Sequence, residues 1–227
     1  MKPRVIVIIS SDGEWATVPR IFPKVEFSQS PHGEWFTHMM NDETVIFYHG
    51  GWGKVPSAAS TQYIIDRWKP ELVVNIGTCG GFHGEVEKFD VVLVEKAVIY
   101  DIFSLMSDSE TTVGRTTTTI DLDWLGGSLP MNVSRATIVS GDRDIHPEDI
   151  ESLKQKYGAK AGDWESGSIA YVCKKNGVKL LILRGVSDIV STQGGEAYDG
   201  KKALWYESAE RIIGELVESL PDWLRLV

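Results

Sequence analysis

Residues 72–81 read Leu-Val-Val-Asn-Ile-Gly-Thr-Cys-Gly-Gly, an apolar run of strand length that passes into three glycines. Short β-branched runs bounded by glycine read as strands buried on both faces. The glycines beyond such a run let a ligand approach the backbone and offer it amide donors, with a plain tight turn as the ordinary alternative. Five more runs share the pattern: Val5 to Ile9, Thr44 to Tyr48, Val91 to Val94, Ala136 to Val139 and Leu180 to Leu183. Between them lie helical stretches at Pro56 to Trp68, Pro147 to Tyr157 and Glu165 to Asn176. This alternation predicts an α/β fold with a central mixed β-sheet flanked by α-helices.

The segment Lys201 to Leu220 sets Leu204, Ala209, Ile212, Ile213, Leu216, Val217 and Leu220 at near-helical spacing. It predicts a long C-terminal helix closing the domain and stopped by Pro221. Two polar stretches, Ser107 to Thr119 and Ser191 to Gly200, read as exposed loops. No repeat or linker interrupts the 227 residues, so residues 1–227 are expected to form one domain.

Composition narrows the partners. A formal charge of −9 argues against a binder of phosphate backbones, which needs a basic face, and favours a small molecule over nucleic acid. No apolar stretch approaches the length of a membrane span. The apolar run after the basic N-terminal residues is too short for a signal peptide and reads as a first strand. Cys79 and Cys173 are the only cysteines, so no disulfide framework is implied and a reducing compartment, the cytoplasm, fits. The five histidines lack metal-ligand spacing, and neither metal nor other cofactor is expected. The GGWGKV stretch at 50–55 lacks the spacing and the hydroxyl residue of a triphosphate loop.

In an open α/β sheet, ligands sit beyond the carboxyl ends of the strands. Four such places carry polar side chains. Ser10, Ser11, Asp12, Gly13 and Glu14 follow the first strand, where acidic helix capping is the plain alternative. Thr78, Cys79 and Gly80 lie in the glycine-rich stretch; Cys79 has no activating partner in the sequence and reads as a small filler. Asp163, Trp164 and Glu165 precede an apolar helix, and capping explains only one of the two carboxylates. Arg184, Ser187 and Asp188 follow Leu183, where unpaired charge would be costly for stability alone.

Taken in order, the stretch Val5 to Glu14, GGWGKVPSA from Gly50, NIGTCGG from Asn75, SGD from Ser140, DWESGSIA from Asp163 and RGVSD from Arg184 resemble the methylthioadenosine/S-adenosylhomocysteine nucleosidases, within the wider purine nucleoside phosphorylase superfamily. The likeness spans about Arg4 to Val217. It implies a nucleoside phosphorylase-like fold and hydrolysis of the N-glycosidic bond of a purine-type nucleoside. By the same resemblance Asp188 protonates the base, Glu14 activates water and Glu165 holds the ribose hydroxyls, while Thr78, Arg184 and Ser187 line the pocket or position Asp188. Asp188 would then need a raised pKa to hold a proton near neutrality. Phosphorolytic relatives place an arginine just before the glycine stretch, where this chain has Asn75 and Ile76, so hydrolysis is favoured over phosphorolysis. A nucleoside-binding protein without catalysis is the reading from another class.

Two departures bear on the substrate. Where family nucleosidases carry an aromatic ring after Gly-Asp-x, this chain has Asp144 followed by Ile145. The methionine that usually precedes the ribose-binding glutamate is Trp164. The resemblance also implies a homodimer, with Phe103 and Leu105 as contributors to the partner's pocket.

Overall fold

The computed structural model describes residues 3–106, 108–198 and 200–227. Its strands are β1 (Val5–Ile9), β2 (Ser28–Ser30), β3 (Gly33–Met40), β4 (Glu43–His49), β5 (Leu72–Phe82), β6 (Val91–Ile99), β7 (Thr118–Thr119), β8 (Ser134–Ser140), β9 (Ala159–Asp163), β10 (Lys179–Ser191) and β11 (Gly194–Gly195). The helices are α1 (Asp12–Trp15), α2 (Val18–Ile21), α3 (Lys54–Trp68), α4 (Ser109–Thr116), α5 (Ile150–Tyr157), α6 (Ser166–Asn176) and α7 (Lys202–Leu224).

β1 is buried along its whole length and pairs in parallel with β4 and β5, which is why an unbroken β-branched run suits it. From β1 the sheet extends one way through β4 to β3 and β2. In the other direction it closes on itself. β5 pairs with β10, β10 with β6, β6 with β8, β8 with β9, and β9 again with β5. The open sheet anticipated above is therefore corrected to a mixed sheet with a closed five-stranded ring, and the glycines of β5 help to make that closure possible. Gly80 and Gly81 face Gly162 and Ala161 of β9 on one side while they pair with Asp188 and Ile189 of β10 on the other.

Closure also changes what the polar stretches are. Residues 77–81 form no turn; β5 runs straight through them to Phe82. Arg184, Ser187 and Asp188 likewise stand inside β10, which continues to Ser191. β5 and β10 stay paired with each other along this stretch and β9 joins at Gly80 and Gly81, so the chain has no reason to turn where its apolar character lapses.

α3 packs against α6, and α7 lies over β10 and β5. Here Gly185 matters for space alone: a β-carbon on it would fall 2.3 Å from Ile212 Cγ2. Helix α7 does not stop at Pro221 but passes through it to Leu224. One lost amide donor is outweighed by Trp223 and Leu224, both buried beyond it, and Asn41 Nδ2 donates to the Pro221 carbonyl at 2.6 Å. Leu204, assigned to the apolar stripe, is 44% exposed. Both polar stretches contain structure as well: α4 and β7 occupy the first, and β11 pairs with the end of β10 in the second. Ser107 and Asp199 of those stretches lie outside the described residues. The strands β2, β3, β7, β9 and β11 have no counterpart among the apolar runs.

Gly185→Ala is expected to lower stability by about 1–3 kcal/mol through overpacking against Ile212, read as a fall in the urea midpoint. An unchanged midpoint would mean that α7 can move off β10 at no cost.

Candidate active site

Arg184 is fully buried, and its neighbours show how that is possible. Nε lies 2.9 Å from Asp163 Oδ2 and donates to Ser166 Oγ at 3.0 Å, while Nη2 donates to Asn75 Oδ1 at 2.7 Å. Asp163 is fixed in turn by the hydroxyls of Ser140, at 2.5 Å, and of Ser166. Asn75 is anchored by donating to the Ile8 carbonyl. Burial alone would pull the guanidinium's pKa down, but Asp163, Glu14 and Glu165 hold it above its ordinary value, so it remains charged. Its Nη1 has no partner among the described residues.

Nη1 passes over Gly77. A β-carbon there would lie 1.9 Å from Nη1 and 3.0 Å from Glu14 Oε1, so the bare backbone at this position is what admits both groups. Glu14 is itself buried and doubly tied. As the third residue of α1 it forms a capping box with Ser11, and its Oε1 accepts from Thr78 N at 2.5 Å and Thr78 Oγ1 at 2.8 Å. The cap and the glutamate of the first loop are thus one feature: capping orients the carboxylate, and β5 receives it.

Asp188 owes its position to an irregularity. The β5–β10 register slips between Val186 and Asp188, leaving Ser187 as an extra residue. Regular alternation would send Ser187 and Asp188 to opposite faces; at the bulge their side chains meet, with Ser187 Oγ 2.6 Å from Asp188 Oδ1. Burial raises the Asp188 pKa, the Ser187 hydroxyl draws it back, Glu196 pushes it up, Lys88 lowers it and Asp144 raises it.

Glu165 caps α6 by position but not by its side chain. Its Oε1 instead accepts from the Gly53 amide at 3.0 Å, and its Oε2 lies 4.0 Å from Arg184 Nη2. Burial pushes this carboxyl up to about 8; Arg184 draws it down, Asp163 and Glu14 push it up, and the Gly53 amide draws it down. The loop that carries Gly53 is held by Lys54. Its ammonium pairs with Asp101, its amide donates to Asp142 Oδ1 at 2.7 Å, and the Asp142 amide donates to Asp101 at 2.9 Å.

The structure thus gathers Glu14, Thr78, Glu165 and Arg184 around Gly77 and Gly53. Ser187 and Asp188 lie further along β10, where Asp188 is paired across the ladder with Gly80. Cys79 is buried, and burial raises its thiol pKa far above the ordinary range, which leaves it unreactive. Asp144 is exposed on the loop after β8, while Ile145 is buried against Gly162 and its carbonyl accepts from Tyr198 at 3.0 Å. Trp164 is half-buried and stacks on Trp52. Phe103 and Leu105 are exposed. Asp163, one of the two carboxylates before α6, thus serves as counter-ion to Arg184, while Asn75, Ser140, Ser166 and Gly53 join the site without an assigned part in the sequence reading. A polar Asn75 within an apolar strand was the one visible signal. No group of three or more potential ligands among the described residues could hold a metal ion.

Because the Glu165 pKa is raised in the folded state, its contribution to stability is complete below 4.5 and is lost as pH rises through about 8. Glu165→Gln should flatten that decline when unfolding is followed by urea titration across the interval. An identical slope in both proteins would show that another group is responsible.

The sequence pattern of the phosphorylase superfamily matches residues 4–220. A 5′-methylthioadenosine/S-adenosylhomocysteine nucleosidase of Bacillus pumilus is 24% identical over 213 residues, covering 86% of this chain and 90% of that protein. The enzyme of the same name from Oceanobacillus iheyensis is 24% identical over 225 residues, covering 94% and 98%. Among solved structures, a mutant Helicobacter pylori nucleosidase with 5′-methylthioadenosine in its active site superposes with a TM-score of 0.79 at 18% identity, covering 98% of this chain and 100% of that one. A mutant futalosine hydrolase of Helicobacter pylori does so with 0.77 at 20%, covering 96% and 99%. With its pattern matched from end to end and its sheet closed in the same fold, the chain belongs to the phosphorylase superfamily and stands among its methylthioadenosine/S-adenosylhomocysteine nucleosidase-like members.

Proposed function

We propose that this protein hydrolyses the N-glycosidic bond of a purine-type nucleoside of the methylthioadenosine kind, with Asp188 as general acid, Glu14 activating water and Glu165 holding the ribose hydroxyls. The observation that carries the reading is the cluster over Gly77, where the unpartnered Arg184 Nη1 and the Glu14 carboxylate converge. Cleavage of this bond develops positive charge on the sugar and negative charge on the base. Asp188, whose carboxyl pKa burial raises, meets the second need, and a fixed carboxylate beside one unpartnered guanidinium nitrogen meets the first. Arg184 Nη1 donates to the attacking water while Glu14 takes its proton.

Charge favours water over phosphate as the second reactant. Glu14, Asp163 and Glu165 stand around one buried arginine, which is already engaged by Asp163 and Asn75. A phosphate dianion brought here would face uncompensated carboxylates in a poorly solvated place. Phosphorolysis is the alternative within the same superfamily, and binding of a nucleoside without cleavage is the alternative outside catalysis. The likeness to nucleosidases supports nucleoside hydrolysis and leaves the 5′ group open, since both methylthioadenosine and futalosine enzymes share the fold.

A second copy of the chain is part of this reading. Phe103, Leu105 and Met106 are 78%, 91% and 99% exposed, a run of apolar side chains whose burial against a partner would remove a solvation cost. No helix among the described residues is long and apolar enough to cross a membrane, and the two buried thiols are free, which supports a reducing cytoplasm as its location.

Base release from methylthioadenosine should proceed without phosphate and yield free sugar, and Asp188→Asn should lower kcat by about 10²- to 10⁴-fold. A strict phosphate requirement with a sugar phosphate as product would replace hydrolysis by phosphorolysis. Leu105→Glu should convert a dimer into a monomer by analytical ultracentrifugation; a monomeric wild type would remove the partner from this account.

A further inference from the structure

A cavity of about 310 Å³ opens between the last turn of α6, the first residues of β10 and the segment that follows β7. It lies at the far end of α6 from Glu165. The helix has eleven residues, so its last turn stands about 15 Å along the axis from its start. None of the residues gathered around Arg184 lines the hollow. Its inner wall is apolar, for Ile120, Ala170, Cys173 and Leu180 are all buried. Protein interiors are close-packed, and a hollow of this size beside an apolar wall has room for an organic molecule.

The mouth has a different character. Lys174 and Lys179 stand there, both exposed and both without an ion-pair partner among the described residues. Asp121 is the one acid of the lining, and the Asp123 amide already donates to its Oδ1 at 3.0 Å. Two unpaired ammonium groups around one opening run against the chain's overall charge of −9. Beside them Trp124 donates from Nε1 to the Asp121 carbonyl at 2.8 Å, which sets the plane of the indole. The Lys179 ammonium lies 5.6 Å from the centre of that ring. An anion pairing with Lys179 is therefore brought against a flat surface whose orientation is already fixed. Thr118 completes the wall; it is 2% exposed, and its hydroxyl has no hydrogen-bond partner among the described residues.

We propose that this cavity is a second binding site, separate from the one over Gly77, and that it takes a small planar aromatic carboxylate. Its volume is at the low end for ligand sites, which suits a molecule of one or two rings. The rings cover the apolar wall and the indole, and the carboxylate meets the ammonium groups at the mouth. The reverse orientation is disfavoured, because the C-terminal end of α6 carries partial negative charge and would repel an anion placed deep against it. A neutral ring leaves both lysines unpaired. A compact inorganic anion leaves the apolar wall uncovered.

The test is calorimetric titration of the intact protein with 2-naphthoate, which should saturate a single site. The corresponding amide keeps the rings and loses the charge, while cyclohexanecarboxylate keeps the charge and loses the flat ring; each should bind about tenfold more weakly, or worse. The Lys174→Gln/Lys179→Gln protein should lose about tenfold or more in affinity for naphthoate, with its urea midpoint unchanged because both side chains are exposed and unpaired. Glu165→Gln should bind naphthoate as the wild type does. Absence of saturable heat overturns the proposal, as does an amide that binds as tightly as the acid, or a lysine variant with undiminished affinity. Affinity lost in Glu165→Gln but kept in the lysine variant would put the anion in the site around Arg184 and overturn it equally.

Discussion

A single positive charge with no exposure to solvent organises this molecule. Arg184 can stay ionised inside the protein only because three carboxylates and one amide oxygen are brought to it. Each of those partners draws a different element inward: Asp163 fixes the end of β9, Glu165 the start of α6, Asn75 the middle of β5, and Glu14 the helix after β1. Removing the arginine would leave a nest of buried negative charge, and removing Asp163 would leave the arginine without its nearest counter-ion. The same balance explains why Gly77 must be bare, since any side chain there would occupy the space of the guanidinium.

Catalytic capacity follows from how unequally that charge is shared. Glu14 is tied by two donors from Thr78, which fix its carboxylate over Gly77. Asp188 lies outside the arginine's hydrogen-bond network, accepts from the Ser187 hydroxyl, and has its pKa raised by burial. The division of labour proposed for these two carboxyl groups, one as base and one as acid, rests on that difference in surroundings.

Much of this was legible in the sequence, and the reason it was not all legible is physical. The apolar runs found β1, β4, β5, β6, β8 and β10 because a strand buried on both faces must be apolar throughout. Their lengths were misjudged at β5 and β10 because the continuation is polar and glycine-rich, yet paired on both sides by a ring closure that no local pattern reports. β3 escaped because its residues alternate in burial and include exposed Thr37 and Met39. Among site residues, Glu14, Glu165, Arg184 and Asp188 stood out as charges beside apolar runs. Asp163 could pass for a helix cap and Gly53 for a loop glycine, since a backbone amide carries no signature in the sequence.

The closed ring has a consequence for how the protein comes into being. β10 is the strand that joins β5 to β6, and it enters the chain after residue 178, with only the short β11 and helix α7 still to follow. During synthesis from the N-terminus, Glu14, Asp163 and Glu165 are all made before the arginine that balances them. A nascent chain lacking β10 has an unclosed sheet with free edges and a set of acids that cannot yet be buried as ions. Folding of this region must await β10, because β5 and β10 are separated by about a hundred residues and such distant pairings form slowly. Products that stop short of β10, unable to close the sheet, would be left to chaperones and proteases, so that the strand which completes the site also decides whether a chain survives.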